Sequence, residues 1–129
     1  RILRLADELH FYELLHRRSG TLSSGQKTRV ALAKSLINSP EVLFLDEPTA
    51  SLDPDTADLI RSYLINYQNQ TGSTILLSSH NMVEVERMCS NVLMMKNGQI
   101  IDSGAPSQLK ARYKQGNLES VFLDIARAD

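Results

Sequence analysis

One short stretch constrains the fold more than any other: an apolar run at residues 42–45 (Val-Leu-Phe-Leu) leads directly into Asp46, Glu47 and Pro48. Four consecutive apolar residues are typical of a strand buried in a parallel sheet. Ligands of open α/β sheets bind at the carboxyl ends of such strands, so Asp46 and Glu47 are expected to face a binding crevice. There, one carboxylate can hold a hydrated Mg²⁺ while the other orients or deprotonates a water molecule. Taken alone, a strand that ends in an acidic turn is the simpler interpretation, because that pattern is common.

The rest of the chain alternates helical and strand patterns around this run, which predicts an α/β fold with a mostly parallel sheet and one C-terminal β-hairpin. The hairpin is predicted from Asn97-Gly98, a strong two-residue turn signal. The first helix is expected to bury a stripe of apolar residues, namely Ile2, Leu5, Leu9, Tyr12 and Leu15. The predicted helices cover 2–17, 23–38, 54–69, 81–89, 106–113 and 118–127, and the further strands cover 74–78, 92–96 and 99–102.

Composition excludes several classes of protein. The 129 residues suffice for one modest domain, and a net charge of −1 predicts no binding to nucleic acid. A single cysteine, Cys89, excludes an internal disulfide. No apolar run approaches the roughly 20 residues that span a bilayer. Because Arg1 lies inside a predicted helix and is not an initiator methionine, we expect a piece of a longer protein.

A histidine follows the second predicted strand. His80 comes directly after Ser78 and Ser79 and is expected at the same sheet edge as Asp46, where its imidazole can donate a hydrogen bond to a phosphate oxygen. The alternative is a helix-capping or core histidine. His10 and His16 lack the spacing of metal ligands and are expected on the surface.

Residues 22–26 (LSSGQ) open a predicted helix and combine two features that suit an anion. A helix N-terminus offers unpaired N–H groups, and Gly25 lets a ligand approach the backbone. Ser23 and Gln26 also form the S-x-x-Q pattern of a capping box, which by itself explains the segment structurally.

The same region nearly matches a phosphate-binding loop, G-x-x-x-x-G-K-[ST], but fails in two ways. Gln26 separates Gly25 from Lys27, and the polar residues 16–18 (HRR) stand where a strand is required. No other glycine precedes a lysine, so residues 1–129 contain no such loop.

Four segments together resemble the motifs of ABC ATPases, in the same order. Residues 22–26 are similar to the family's signature, 42–48 (VLFLDEP) to its Walker B strand, 51–53 (SLD) to its D-loop, and His80 to its switch histidine. The spacing also matches, with 21 positions from Gly25 to Asp46 and 34 from Asp46 to His80. The resemblance covers essentially the whole chain and implies a partial P-loop NTPase fold.

The resemblance implies a division of roles among three residues at the catalytic centre. Asp46 would hold Mg²⁺, Glu47 would polarise the attacking water, and His80 would contact the γ-phosphate of ATP. Phosphoryl transfer depends mainly on such positioning and charge stabilisation.

For the signature, the resemblance implies binding to a nucleotide held by a second subunit. Ser23, Ser24, Gly25 and Gln26 would face the partner's ATP in a head-to-tail dimer, and Asp53 would couple the two sites. Ser24 stands where the family usually has glycine, so a left-handed backbone conformation there is expected to be less favourable.

The resemblance also implies an organisation and a setting. Residues 1–38 would belong to the helical signature subdomain, 39–104 to the second half of the ATPase core, and 105–129 to C-terminal helices. The intact protein would be an ATPase bound to a transmembrane permease, peripheral at the cytoplasmic face of the cell membrane. Without the phosphate-binding loop, adenine-stacking aromatic and glutamine loop, the fragment is expected to be inactive.

Residues 117–123 (NLESVFL) resemble the tail of exporter-type ATPases, which favours export, although a packed amphipathic helix explains the same pattern. The alternatives are a non-transport ABC ATPase of translation or DNA repair, and an inactive interaction module.

Overall fold

The computed structural model describes residues 1–50 and 52–128. They form two compact units, the first ending at Ser78 and the second beginning at Ser79. The sheet elements are β1 (Val42–Asp46), β2 (Thr74–Ser78), β3 (Val92–Lys96) and β4 (Gln99–Gly104). The α-helices are α1 (Ile2–Glu8), α2 (Ser24–Leu36), α3 (Pro54–Thr71), α4 (Met82–Met88), α5 (Pro106–Arg112) and α6 (Leu118–Arg127).

The predicted α/β class is confirmed, with a parallel pair in the first unit and an antiparallel hairpin in the second. In the described parts of the chain, β1 pairs with β2 and β3 pairs with β4, giving two two-stranded sheets. The register of the parallel pair sets Leu43 beside Ile75 and Asp46 beside Ser78. The carboxyl ends of both parallel strands therefore coincide.

The runs at 42–45 and 74–78 are expected to be buried strands, but both are only partly buried. Leu43 is buried, but its neighbours Val42 and Phe44 are 51% and 73% exposed, and Leu76 is 53% exposed. The apolar side chains of α3 pack in the interior of this unit, including Ile60 and Leu64. Among the described residues, only one face of the pair is therefore covered.

The first predicted helix is too long, because α1 ends at Glu8. His10 adopts a left-handed conformation with φ of 55°. The Phe11 N–H then bonds to the Ala6 carbonyl at 2.8 Å and the His10 N–H to the Asp7 carbonyl at 3.1 Å. These are the two bonds of a Schellman helix stop, here with histidine at the position that glycine usually occupies.

This early stop divides the predicted apolar stripe. Leu5 and Leu9 are buried as expected, whereas Ile2 and Tyr12 are 55% and 56% exposed. Two short 3₁₀ turns, Tyr12–Leu14 and Ser19–Thr21, fill the interval before α2. His10 and His16 are exposed, as expected.

The second unit packs the β3–β4 hairpin against three helices. Asn97 and Gly98 have φ of 51° and 76°, the left-handed pair that a tight hairpin turn needs. A bulge opposite Met94 and Met95 interrupts the ladder. The core consists of buried apolar side chains from four elements, namely Met82, Val85, Val92, Met94, Leu109, Leu118, Val121 and Ile125.

Across residues 1–50 and 52–128, no helix combines the length and the apolar content that crossing a bilayer requires.

Candidate functional site

The carboxyl end of the parallel pair carries both predicted carboxylates. Asp46 is the last residue of β1, and the hydroxyl of its register partner Ser78 donates a hydrogen bond to Asp46 Oδ1. The Glu47 N–H donates to the Ser78 carbonyl at 2.9 Å. Ser78 therefore fixes both acidic residues, one through its side chain and one through its backbone. Sequence reasoning missed Ser78, although strand register would have placed it there.

Glu47 has an unusual backbone for a residue with a side chain. Its φ is 47°, in the left-handed region, which costs about 1–2 kcal/mol for a residue other than glycine. Hydrogen bonds hold it on both sides: its N–H bonds to Ser78, and its carbonyl accepts from the Ala50 N–H at 3.1 Å. Non-glycine residues held in such conformations cluster at active sites, where the bend aims a side chain away from the strand direction.

The acidic end fits a magnesium ion that is held mainly by water and substrate. Mg²⁺ commonly takes one or two carboxylates and completes its shell with water and phosphate oxygens. Asp46 is exposed and offers one such carboxylate. Within the described residues, no group of three or more His, Cys, Asp or Glu side chains forms a ready cage. Asp46 can therefore supply the single carboxylate that such an ion takes from a protein.

The signature segment forms the capping box that its sequence predicts. The Gln26 N–H donates to Ser23 Oγ at 3.2 Å, and the Ser23 N–H donates to Gln26 Oε1 at 2.9 Å. The cap uses one acceptor site of the Ser23 hydroxyl, whose own O–H stays available to an anion because a hydroxyl has one donor and two acceptor sites. Ser23 and Ser24 are exposed, so a ligand can reach them. The Gln26 side chain is engaged in the cap.

The backbone strain predicted at Ser24 is absent. Ser24 is the first residue of α2, and it is not one of the non-glycine residues with positive φ. An added Cβ at Gly25 would lie 3.7 Å from Leu52 and 3.8 Å from Thr56, which is ordinary contact. Packing within the chain therefore does not require glycine at position 25, and the start of α2 lies beside the start of α3.

Asp53 is the N-cap of α3. Its two carboxylate oxygens accept from the Thr56 N–H at 3.0 Å and the Thr56 hydroxyl at 2.6 Å. The hydroxyl bond, followed by the backbone bond, lowers the pKa of Asp53 below its ordinary value. Asp53 is therefore charged at neutral pH. It lies near Gly25, because Thr56, which bonds to Asp53, lies beside Gly25. Ser51, the first residue of the predicted D-loop, lies outside the described residues.

His80 lies two residues beyond β2, in the loop that leads to α4, and it is exposed. It belongs to the second unit, whereas Asp46, Glu47 and the signature belong to the first. The first unit thus brings Asp46 and Glu47 together on Ser78, and separately brings Gly25 to the start of α3.

Comparison with known proteins bears on the family and the fold of the chain. The ABC transporter family profile matches residues 1–50. The chain is 43% identical over 110 residues to ABC transporter G family member 20 of Dictyostelium discoideum, covering 85% of this chain and 15% of that protein. It is 46% identical over 88 residues to the methionine import ATP-binding protein MetN 1 of Staphylococcus epidermidis, covering 68% of this chain and 26% of that protein.

Two solved structures share the fold. The ATP-binding subunit of an ABC transporter superposes with a TM-score of 0.88 at 22% identity, over 98% of this chain and 53% of that one. CbiO1 of Clostridium perfringens, part of the ABC transporter complex cbiONQ, superposes with a TM-score of 0.73 at 36% identity, over 88% and 45%. The chain thus spans about half of these structures, and 15% and 26% of the two curated relatives named above. Motif order, fold and relatives together show that the chain belongs to the family of ABC transporter ATP-binding domains.

Proposed function

We propose that these residues form the part of an ABC transporter ATP-binding subunit that carries the Walker B and signature motifs, and that the intact protein couples ATP hydrolysis to transport across a membrane. The observation that carries this proposal is the pair Asp46 and Glu47, fixed by Ser78 at the carboxyl end of a parallel strand pair. Such an edge is where open α/β sheets bind their ligands.

In this proposal, Glu47 orients the water that attacks the γ-phosphate, because its left-handed backbone turns the residue out of the strand line. Asp46 holds Mg²⁺, which when bound supplies charge neutralisation at the phosphate oxygens. His80 donates a hydrogen bond to the γ-phosphate. All three residues act by position and charge rather than by covalent chemistry.

The signature acts on a second nucleotide. Ser23 and the Gly25 N–H contact the γ-phosphate bound by the partner subunit, Ser24 and Gln26 shape the same helix start, and Asp53 couples the two sites. Support comes from the exposed Ser23 hydroxyl at a helix N-terminus, a favourable place for an anion. The working unit is then a head-to-tail dimer.

The proposed setting is the cytoplasmic face of the cell membrane, where the dimer binds a transmembrane permease. CbiO1, named as part of a transporter complex, supports a permease partner. Residues 1–129 contain no phosphate-binding loop, so we expect no ATP turnover from these residues alone.

The expected export direction has lost its support, and import is the direction favoured instead. Export was expected from residues 117–123, but Leu118 and Val121 are fully buried, so packing of α6 explains that pattern. A relative named for methionine import is 46% identical, which favours import over export.

Transport is favoured over a role in translation or DNA repair. The named relatives and the matching family profile all describe transporters. A catalytically silent module is the remaining alternative, and steady-state phosphate release by the full-length protein distinguishes it from an ATPase.

Glu47→Gln in the full-length protein tests this proposal. The amide keeps the size of the side chain and removes the carboxylate, so steady-state phosphate release is expected to fall by about a hundredfold or more, with Mg-ATP affinity retained. Glu41→Gln, an exposed glutamate just before the other end of β1, is the matched control and should keep parental turnover. Phosphate release near the parental rate in Glu47→Gln would refute the assigned role.

A further inference from the structure

A ring of hydrogen bonds holds the short loop between β2 and α4. The Ser79 hydroxyl donates to Glu84 Oε2 at 3.0 Å and accepts from the Asn81 N–H at 3.0 Å. The Glu84 N–H in turn donates to Asn81 Oδ1 at 3.1 Å. His80 lies between the two residues that these bonds hold, so its backbone is restrained on both sides.

Glu84 is buried where an apolar residue would suffice for packing. Only 2% of it is exposed, and its neighbours on α4 include the core residues Met82 and Val85. Glutamate is almost never fully buried unless its carboxyl group is bonded, because removing that group from water is costly. The bond from Ser79 directs this carboxyl group to the loop.

We propose that Glu84 is a positioning residue: through Ser79 and Asn81 it fixes the loop that presents His80. The proposal rests on the proposed function, in which His80 contacts the γ-phosphate. A displacement of about 1 Å at such a contact can cost about a hundredfold in rate, so restraint of the loop is directly relevant to turnover.

The test uses the full-length protein and three variants. Glu84→Leu keeps the volume and removes the acceptor, Glu84→Gln keeps an acceptor for the Ser79 hydroxyl, and Glu86→Gln is the control on the same helix. Glu86 bonds to Lys110 rather than to the loop. Glu84→Leu should lower kcat by about tenfold or more with KM for ATP within about twofold, while the other two variants stay within about threefold of parental kcat.

A double-mutant cycle with His80→Ala separates positioning from general damage to the fold. If Glu84 acts through His80, Glu84→Leu should change kcat by less than about twofold once His80 is absent. A parental kcat in Glu84→Leu, or losses that simply multiply with those of His80→Ala, would overturn the proposal.

Hydrogen exchange at the backbone N–H of Asn81 gives a measurement that does not depend on turnover. Exchange should rise by about tenfold or more in Glu84→Leu and stay unchanged in Glu86→Gln, since only the first variant removes the acceptor that orders Ser79. Unchanged exchange in Glu84→Leu would overturn the restraint. If the parental protein hydrolysed no ATP, the proposed function would fail, and exchange at Asn81 would still decide whether Glu84 holds the loop.

Discussion

Several residues proposed to act in nucleotide chemistry also perform a structural task. Ser23 and Asp53 each cap a helix, and Glu47 occupies a turn that two hydrogen bonds define. A substitution at these positions therefore changes both stability and chemistry unless it is chosen to separate them. The caps could be predicted from sequence, because S-x-x-Q and Asp-Pro are local patterns.

The backbone of Glu47 could not be predicted in the same way. No local pattern requires a left-handed glutamate, and the conformation depends on Ser78, which is 31 residues away in the chain and brought close by strand pairing. Asp46 and Glu47 were thus identified from an acidic pair after an apolar run, whereas their common support required the structure.

Ser23 offers a pair of variants that separate the cap from the chemistry. Asn and Asp both cap helices about as well as Ser, so each should keep unfolding free energy within about 0.5 kcal/mol. Ser23→Asp adds a negative charge facing a phosphate and should abolish hydrolysis, whereas Ser23→Asn should retain measurable turnover. ATP affinity of the separate subunits should stay parental in both. Loss of that affinity in Ser23→Asp would mean that Ser23 serves its own subunit's nucleotide.

At the scale of elements, sequence patterns located helices and strands better than their ends. The helix expected over 2–17 ends at Glu8, because His10 takes the left-handed position that glycine usually occupies at a helix end. A histidine at this position does not by itself predict a helix end. In contrast, α3 begins after Asp53 as predicted, because Asp-Pro is a local signal, and it ends at Thr71, two residues beyond the predicted end, with Gly72 as its left-handed cap.

Glu86 links three helices of the second unit. Its carboxylate accepts from Lys110 of α5 and, at 3.4 Å, from the Leu118 N–H at the start of α6. The bond from Lys110 is the main cause of a pKa for Glu86 below its ordinary value. A carboxylate with a lowered folded pKa stabilises the fold above its unfolded pKa, and this contribution is lost as pH falls through the folded pKa.

Lys110→Met should therefore lower the unfolding free energy by about 1 kcal/mol at neutral pH, since the pair is only partly buried. The difference from the parental protein should shrink as pH falls below the ordinary range of glutamate, about 4.3, because protonation of Glu86 removes the charge in both proteins. Urea unfolding at neutral pH and at pH values below the ordinary pKa of glutamate measures this difference in unfolding free energy. Lys27→Met, at an exposed lysine, is the control. A difference that does not depend on pH would assign the effect to packing.

At the scale of the whole molecule, apolar periodicity identified the strands but not what covers them. Phe44 and Leu76 in one sheet, and Met95 and Ile100 in the other, are more than half exposed. A run of apolar residues predicts burial on both faces, yet among the described residues each sheet has one open face. The number and order of strands in a sheet depend on contacts between distant segments, which local patterns do not encode.

In the proposed head-to-tail dimer, one nucleotide lies between Glu47 of one subunit and Ser23 of the other. Glu47→Gln should slow hydrolysis and so retain bound ATP, which allows the molar mass of the ATP-bound dimer to be measured. Light scattering on the full-length Glu47→Gln subunit should show the molar mass of a dimer with Mg-ATP and of a monomer without it. Adding Ser23→Asp should leave ATP bound to a monomer, while adding Ser23→Asn should retain the dimer. A molar mass of Glu47→Gln that is the same with and without Mg-ATP would contradict this dimer. So would a Glu47→Gln protein that dimerises as fully with Ser23→Asp as without it.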